Sequence, residues 1–277
     1  MKIMKLKITL AALIIYSASY AVNSGNSLGQ LDWINGKIVS NGKYTHHIDD
    51  QGNPVDYETG NRISISSARN ISYARAKDKA VHYAVLAIKD LKIDTKTNLN
   101  DLILSSPEVR QNITRHLHEF SRFREKPAGY LATSCELQMN IGYIINTLGI
   151  TFPEDDFPLR DDIQISTKYT SLIIDTRGLN IKPMLLPSVL SETGLAVYSK
   201  NNIYGKCAVK YLPVSYVFND RDARKHKKAG KHPFYSIALK SLNGNPIISD
   251  EDIKRIYSHS TNLNFLKKCR VIFIIDR

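Results

Sequence analysis

The most regular spacing of apolar positions in the chain lies over residues 66–92. Tyr73, Ala76, Ala80, Ala84, Ala87, Ile88 and Leu91 recur every three or four residues, which places them on one face of a helix. The alanines let that face approach a sheet closely, and Arg69, Arg75, Lys77 and Lys79 fall largely off it. A second helix is expected from 107 to about 120. Ser106 suits the N-cap, Pro107 the first helical position, and Val109, Ile113, Leu117 and Phe120 share a face. A third opens at Ser249-Asp250-Glu251-Asp252 and runs through Tyr257. Strand patterns occupy 31–44, 130–139, 234–239 and 269–275. Asn35-Gly36 and Asn41-Gly42 serve as turn signals in the first. The apolar run 141–150 fits either a strand or a short helix, and 45–60 and 94–101 read as polar loops.

The richest stretch is 169–200. Its apolar run Leu172–Ile174 ends at Asp175-Thr176-Arg177-Gly178. A second run at 184–190 is followed by Glu192-Thr193-Gly194 and then 195–198. Two strand-like runs around a Gly-containing loop predict a β-hairpin. The endings Leu-Ile-Ile-Asp (172–175) and Phe-Ile-Ile-Asp (273–276) hint at two similar buried strands.

These elements predict an α+β fold, a helix packed on an antiparallel sheet, arranged as two small α/β modules. One would occupy 31–150 and the other 163–277, containing the 169–200 hairpin. The segment 151–162 carries two prolines and five acidic residues and reads as the linker. Residues 22–30, rich in Ser, Asn and Gly, read as a disordered N-terminal segment.

The N-terminus adds a compartment. Lys2, Lys5 and Lys7 precede the apolar run 8–15, and Ser19-Tyr20-Ala21 has the small-x-small form of a cleavage site. Residues 1–21 therefore read as a secretory signal peptide, and the protein as exported, to the periplasm or outer-membrane periphery. With 277 residues, 43% hydrophobic and 23% charged, the composition is that of a globular protein. Removing the signal lowers the formal charge from +12 to +9. In an exported protein that charge suits an anionic membrane surface or an acidic protein better than nucleic acid. The densest positive stretch is 221–231, with Arg221, Arg224, Lys225, Lys227, Lys228 and Lys231 as a candidate contact surface.

Candidate chemistry is sparse. Cys135, Cys207 and Cys269 are far apart and form no CxxC pair, so zinc-ribbon and thioredoxin readings fail. One disulfide among them stays open, and Cys269 reads as a small buried hydrophobe. His46-His47 and Asp49-Asp50 sit in a loop without the spacing of a metal site, so no metal and no cofactor is expected. No Walker loop, dinucleotide fingerprint, HExxH or EF-hand pattern occurs. Gly25-Asn26-Ser27-Leu28-Gly29 matches a nucleophile elbow only formally, because no strand precedes it. Asp175 stands where α/β enzymes place a nucleophile, but Arg177 replaces the second Asp that phosphoryl transfer would want. No catalytic residue is assigned. Asp175, Arg177 and Gly178 are expected to shape the end of a strand, with Gly178 at a positive φ.

The segment 169–198 resembles a recurrent segment of exported bacterial proteins related to the flagellar lipoprotein FlgP and the small outer-membrane lipoproteins of its family. Tyr169, Leu172, Ile173, Ile174, Asp175, Arg177, Gly178, Leu179, Lys182, Pro183, Pro187, Gly194, Val197 and Tyr198 carry the likeness. Asp32-Trp33, Asn35-Gly36, the Ala-rich helix over 74–91, Asp94-Thr95-Lys96-Thr97 and 269–275 extend it. The resemblance implies α+β modules acting as structural or assembly parts of the envelope. Envelope or flagellar-assembly proteins would be the partners, with homo-oligomers left open. The lipoproteins' lipobox Cys is missing here, which favours a protein without a lipid anchor. The sequence thus points to a non-enzymatic exported envelope protein. The alternative is a periplasmic hydrolase or ligand-binding protein with a site near Asp175.

Overall fold

The computed structural model describes residues 28–157 and 167–277. The signal peptide, residues 22–27 and residues 158–162 of the expected linker lie outside the described residues.

The first half is built on β1 (Gly29–Asp32), β2 (Lys37–Thr45), α1 (Ile65–Ile88), α2 (Leu99–Ser105), α3 (Pro107–Phe120), β3 (Arg122–Gly129), β4 (Ala132–Asn140) and α4 (Tyr143–Thr147). The strands form an antiparallel sheet in the order β1-β2-β4-β3. Alternate residues of β4 are buried, as expected of a sheet with one covered face. The cover is α1, whose Ala76, Ala80 and Ala84 are wholly buried. Two sheet glycines complete the close approach. A Cβ on Gly42 would collide with the α1 backbone at Ala76 and Ala80, and one on Gly29 with the carbonyl of Tyr83. Ser40 Oγ fixes the contact by donating to the Ala80 carbonyl at 2.7 Å. Ser106 caps α3 through the Val109 N–H, with Pro107 in its first turn.

Two elements differ from the sequence reading. The loop expected over 94–101 gives way to α2 at Leu99, after Asp94 Oδ1 has closed a turn on the N–H groups of Lys96 and Thr97. Strand β3 was hidden by its charge, since Arg122, Arg124, Glu125, Lys126 and Pro127 are residues that suit an edge strand.

The second half contains β5 (Ser171–Asp175), β6 (Val189–Leu190), β7 (Ala196–Tyr198), α5 (Gly205–Tyr211), β8 (Val214–Val217), α6 (Asp220–Lys225), β9 (Pro233–Ile237), β10 (Lys240–Leu242), β11 (Asn245–Ile247), α7 (Asp250–Tyr257), α8 (Ser260–Lys267) and β12 (Val271–Ile274). The hairpin expectation holds only in part: β6 and β7 pair antiparallel around the Glu192-Thr193-Gly194 loop, but β5 lies outside that hairpin. β5 pairs with β9 and β12, parallel to both, in a sheet of order β8-β12-β5-β9 whose strands all run the same way. The reason lies in burial. Ser171 to Ile174 and all of β8 and β12 are buried on both faces, as in a covered parallel sheet, whereas a hairpin strand would alternate. The 184–190 run contributes only the short β6, which pairs with β7 and β11 in a second, mixed sheet of order β10-β11-β6-β7. The two strands ending in Ile-Ile-Asp are the central neighbours, with Leu172 opposite Val271 and Asp175 opposite Ile274. The fold is α+β, with an antiparallel sheet under α1 in the first half and a parallel sheet at the centre of the second.

One apolar core runs through both halves. The Tyr216 ring of β8 stands edge-on to Trp33 at 5.8 Å and to Phe273 at 5.9 Å. Leu185 and Leu186 donate backbone hydrogen bonds to the carbonyls of Lys92 and Ile93, at 2.8 and 2.7 Å. The described part of the expected linker is docked. Asp155 N–H donates to the Asn201 carbonyl at 2.7 Å, Gly205 N–H donates to Glu154 Oε1 at 3.0 Å, and Phe157 is buried against Tyr257.

Candidate functional site

The carboxyl ends of the parallel strands meet at one edge of the sheet, the place where α/β architectures present ligands. Asp175 closes β5, Asp220 opens α6 directly beyond β8, and Asp276 follows β12. Tyr235, on β9, reaches the same edge from the side. Arg177 Nε donates to Asp175 Oδ1 at 2.9 Å, its backbone N–H to the same oxygen at 3.1 Å, and an Nη2 hydrogen to Oδ2. The Tyr235 hydroxyl lies 2.6 Å from Asp220 Oδ1 and 3.1 Å from Asp175 Oδ2, so one phenolic hydrogen serves two carboxylates. Arg177 Nη2 also reaches Asp220 Oδ2 at 3.3 Å.

The electrostatics follow from this geometry. The Arg177 hydrogen bonds hold the Asp175 carboxyl below the usual carboxylate range, against a partial desolvation penalty. Burial and the two carboxylates push the Tyr235 phenol up and keep it protonated. Arg177 is held charged by Asp175. A carboxylate stabilised in this way is a weak base, and its lone pairs already point at donors. Thr176, fully buried, extends the sheet by donating from N–H and Oγ1 to the Ile274 carbonyl at 2.9 and 2.8 Å. Gly178 has φ +81°, and its N–H donates to Asp276 Oδ2 at 3.0 Å. No atom lies within 4 Å of a Cβ placed on Gly178, so the backbone angle alone demands glycine. Asp175, Arg177 and Gly178 therefore sit together at the strand end. Tyr235, Asp220 and Asp276 complete the arrangement and were not singled out from sequence. The repeated Ile-Ile-Asp ending was the one signal that could have brought in Asp276.

The basic stretch begins as α6, capped by Asn219 Oδ1 on the Asp222 N–H. Arg221, Arg224, Lys225, Lys227 and Lys231 are exposed. Arg224 lies over the Tyr235 ring at 5.7 Å, and Lys227 and Lys210 lie over Tyr211 at 5.8 and 5.0 Å. Lys228 has to leave the surface set. It is 4% exposed, and its Nζ donates to the Leu212 carbonyl at 2.9 Å. The cause is a local anchor: Thr170 Oγ1 and Ser171 Oγ both donate to the Ala229 carbonyl, drawing 228–229 under the sheet. Burial pushes the Lys228 amine down to about 7 and, with Lys228 and Lys227, the His226 ring down to about 4.

All three thiols are free. Cys135 and Cys269 are buried, and burial pushes the Cys269 thiol up to about 12. Among the described residues no group of three His, Cys, Asp or Glu is placed to hold a metal ion. Among them, too, no helix is long and apolar enough to cross a membrane.

Residues 171–277 match the family described as the second domain of Treponema pallidum Tp0624. The match starts at the first residue of β5, so the parallel sheet, its carboxylate edge and the basic stretch all fall inside it. The α1-covered sheet lies outside it. No curated protein matches the chain. The part of the chain that resembles the Tp0624 domain is thus the part that carries the strand-end cluster.

Proposed function

We propose that this is a non-enzymatic exported envelope protein, a structural or assembly component that works by contact. The observation that carries this reading is the closed network at Asp175. The residue best placed for chemistry has its oxygens directed at Arg177 and Tyr235, and acts as a latch between a strand end and a loop. The resemblance of 169–198 to the FlgP-related lipoproteins supports an envelope role, and a flagella-associated assembly is the specific setting it suggests. The exposed residues Arg221, Arg224, Lys225, Lys227 and Lys231 offer the contact, with an anionic membrane surface or an acidic partner as its complement. The signal-peptide pattern over 1–21 supports export, and N-terminal sequencing of the processed protein should begin at Val22.

The other reading, a hydrolase or ligand-binding protein working at Asp175, draws on the position of the same carboxylates at the edge of a parallel sheet. Asp175→Asn separates the two. A latch predicts a folded protein with a lower melting temperature and unchanged behaviour toward esters, phosphoesters and glycosides. A folded variant that loses a hydrolytic activity present in the wild type would overturn the proposal.

A further inference from the structure

A cavity of about 410 Å³ opens where the two halves meet. The turn between β1 and β2 forms one wall and the end of α5 a second. β8, α6 and the residues just after α6 form the rest. The volume lies in the range of small-molecule sites.

The lining is rich in donors. Lys210, Lys225 and Lys227 bring three ammonium groups to it, and none of them forms an ion pair among the described residues. Two of these lysines, from different elements, share one ring: Lys210 Nζ lies 5.0 Å and Lys227 Nζ 5.8 Å from the centre of Tyr211. Asp222 is the one acid of the lining among the described residues, and its Oδ2 already accepts from Asn219 Nδ2 at 2.9 Å. Two neutral donors add to the lysines. His226 Nδ1 accepts from the Lys228 N–H at 3.2 Å, so the hydrogen of the neutral ring is on Nε2, which makes no hydrogen bond among the described residues. Ser215 is 8% exposed, and its hydroxyl has no hydrogen-bond partner among the described residues either. Ser215 and Val217 share a face of β8 and both line the cavity, whereas Tyr216 between them packs on Trp33 and Phe273. Behind the wall, the buried Lys228 is bonded to the carbonyl of Leu212, itself part of the lining.

Three ammonium groups against one carboxylate leave two positive charges to be met. A cation would be repelled, a neutral ligand would leave that charge unmet, and a monocarboxylate would answer half of it. A phosphate monoester carries roughly two negative charges near neutral pH, on terminal oxygens that accept from such donors. It matches both the charge and the donor set, and the cavity has room for the small group that bears the phosphate.

We propose that this cavity binds a phosphate monoester, held by Lys210, Lys225 and Lys227 with hydrogen bonds from Ser215 and His226. Lys210 and Ser215 lie outside the basic stretch 221–231, so the site stands whether or not the outer basic face meets a membrane. The test is calorimetric titration of the full chain with glycerol 3-phosphate at constant ionic strength. Binding should be saturable and should be displaced by inorganic phosphate. Lys210→Gln, a change at an exposed side chain, should weaken it by about tenfold, the scale of a lost charge-assisted hydrogen bond. Ser215→Ala should weaken it as well. Lys206→Gln removes the same charge from the same helix but outside the cavity, and should leave binding unchanged. A second arm uses vesicles containing phosphatidic acid, which present the same group on a lipid. Sedimentation that excess glycerol 3-phosphate reverses would assign the cavity to a headgroup, and binding of the free ester without sedimentation would assign it to a soluble one. No saturable binding of glycerol 3-phosphate, binding that Lys210→Gln leaves unchanged, or an equal loss in Lys206→Gln would overturn the proposal.

Discussion

At the residue scale, the second half is held by a few polar groups whose partners determine their charge. The Arg177–Asp175 pair is partly exposed, so water screens it and the loss in Asp175→Asn is expected to be about 1 kcal/mol. Thermal melts of the two proteins would check this. Lys228 behaves in the opposite way, because its burial lowers the folded-state pKa from the ordinary 10.5 to about 7. Between those values the unfolded chain binds more protons than the folded one, so stability should rise with pH through that window. Buried thiols with raised pKa values, Cys269 and Cys135, reverse the trend from about pH 9 upward. The clean interval is therefore pH 7 to 9. Urea unfolding at these two pH values should give the higher midpoint at pH 9, and Lys228→Met should flatten the difference. An equal rise in the variant would show that another group is responsible.

At the element scale, the first half was legible because its periodicity is one-sided. The alanine stripe of α1, the alternation in β4 and the Ser106-Pro107 start of α3 each encode one buried face or one cap, and local residues are enough to reveal it. The parallel sheet was not legible in the same way. A strand buried on both faces is a short apolar run with no alternation, and nothing in Leu172–Ile174 states which strand lies beside it. Its neighbours, β9 and β12, lie tens of residues further on, whereas the local β6–β7 pair is joined by the short loop that the sequence marks with Gly194. The candidate site was half legible for the same reason. Asp175, Arg177 and Gly178 are contiguous, but Tyr235, Asp220 and Asp276 reach them only through that pairing. The α1 contact allows a direct check. Ala84 is fully buried against the sheet, so Ala84→Leu should overpack it and cost on the order of 1–3 kcal/mol. An unchanged melting temperature would place that face elsewhere.

At the scale of the whole molecule, charge and core are divided. Trp33, Tyr216 and Phe273 tie the two halves through one apolar interior, while Arg221, Arg224, Lys225, Lys227 and Lys231 face solvent. Basic groups at an anionic surface contribute about 1 kcal/mol each, so a handful together can hold a protein at a membrane. Exposed charges are screened over about 8 Å at physiological salt, so such a contact must weaken steeply as salt rises. The most direct test is co-sedimentation with phosphatidylglycerol vesicles at low and high salt. It would compare the wild type with a variant carrying Arg224→Gln, Lys225→Gln and Lys227→Gln and retaining the buried Lys228. The wild type should sediment at low salt and be released at high salt, and the variant should stay in the supernatant at both. Absence of binding at low salt, or binding indifferent to both salt and substitution, would contradict a contact role for this face.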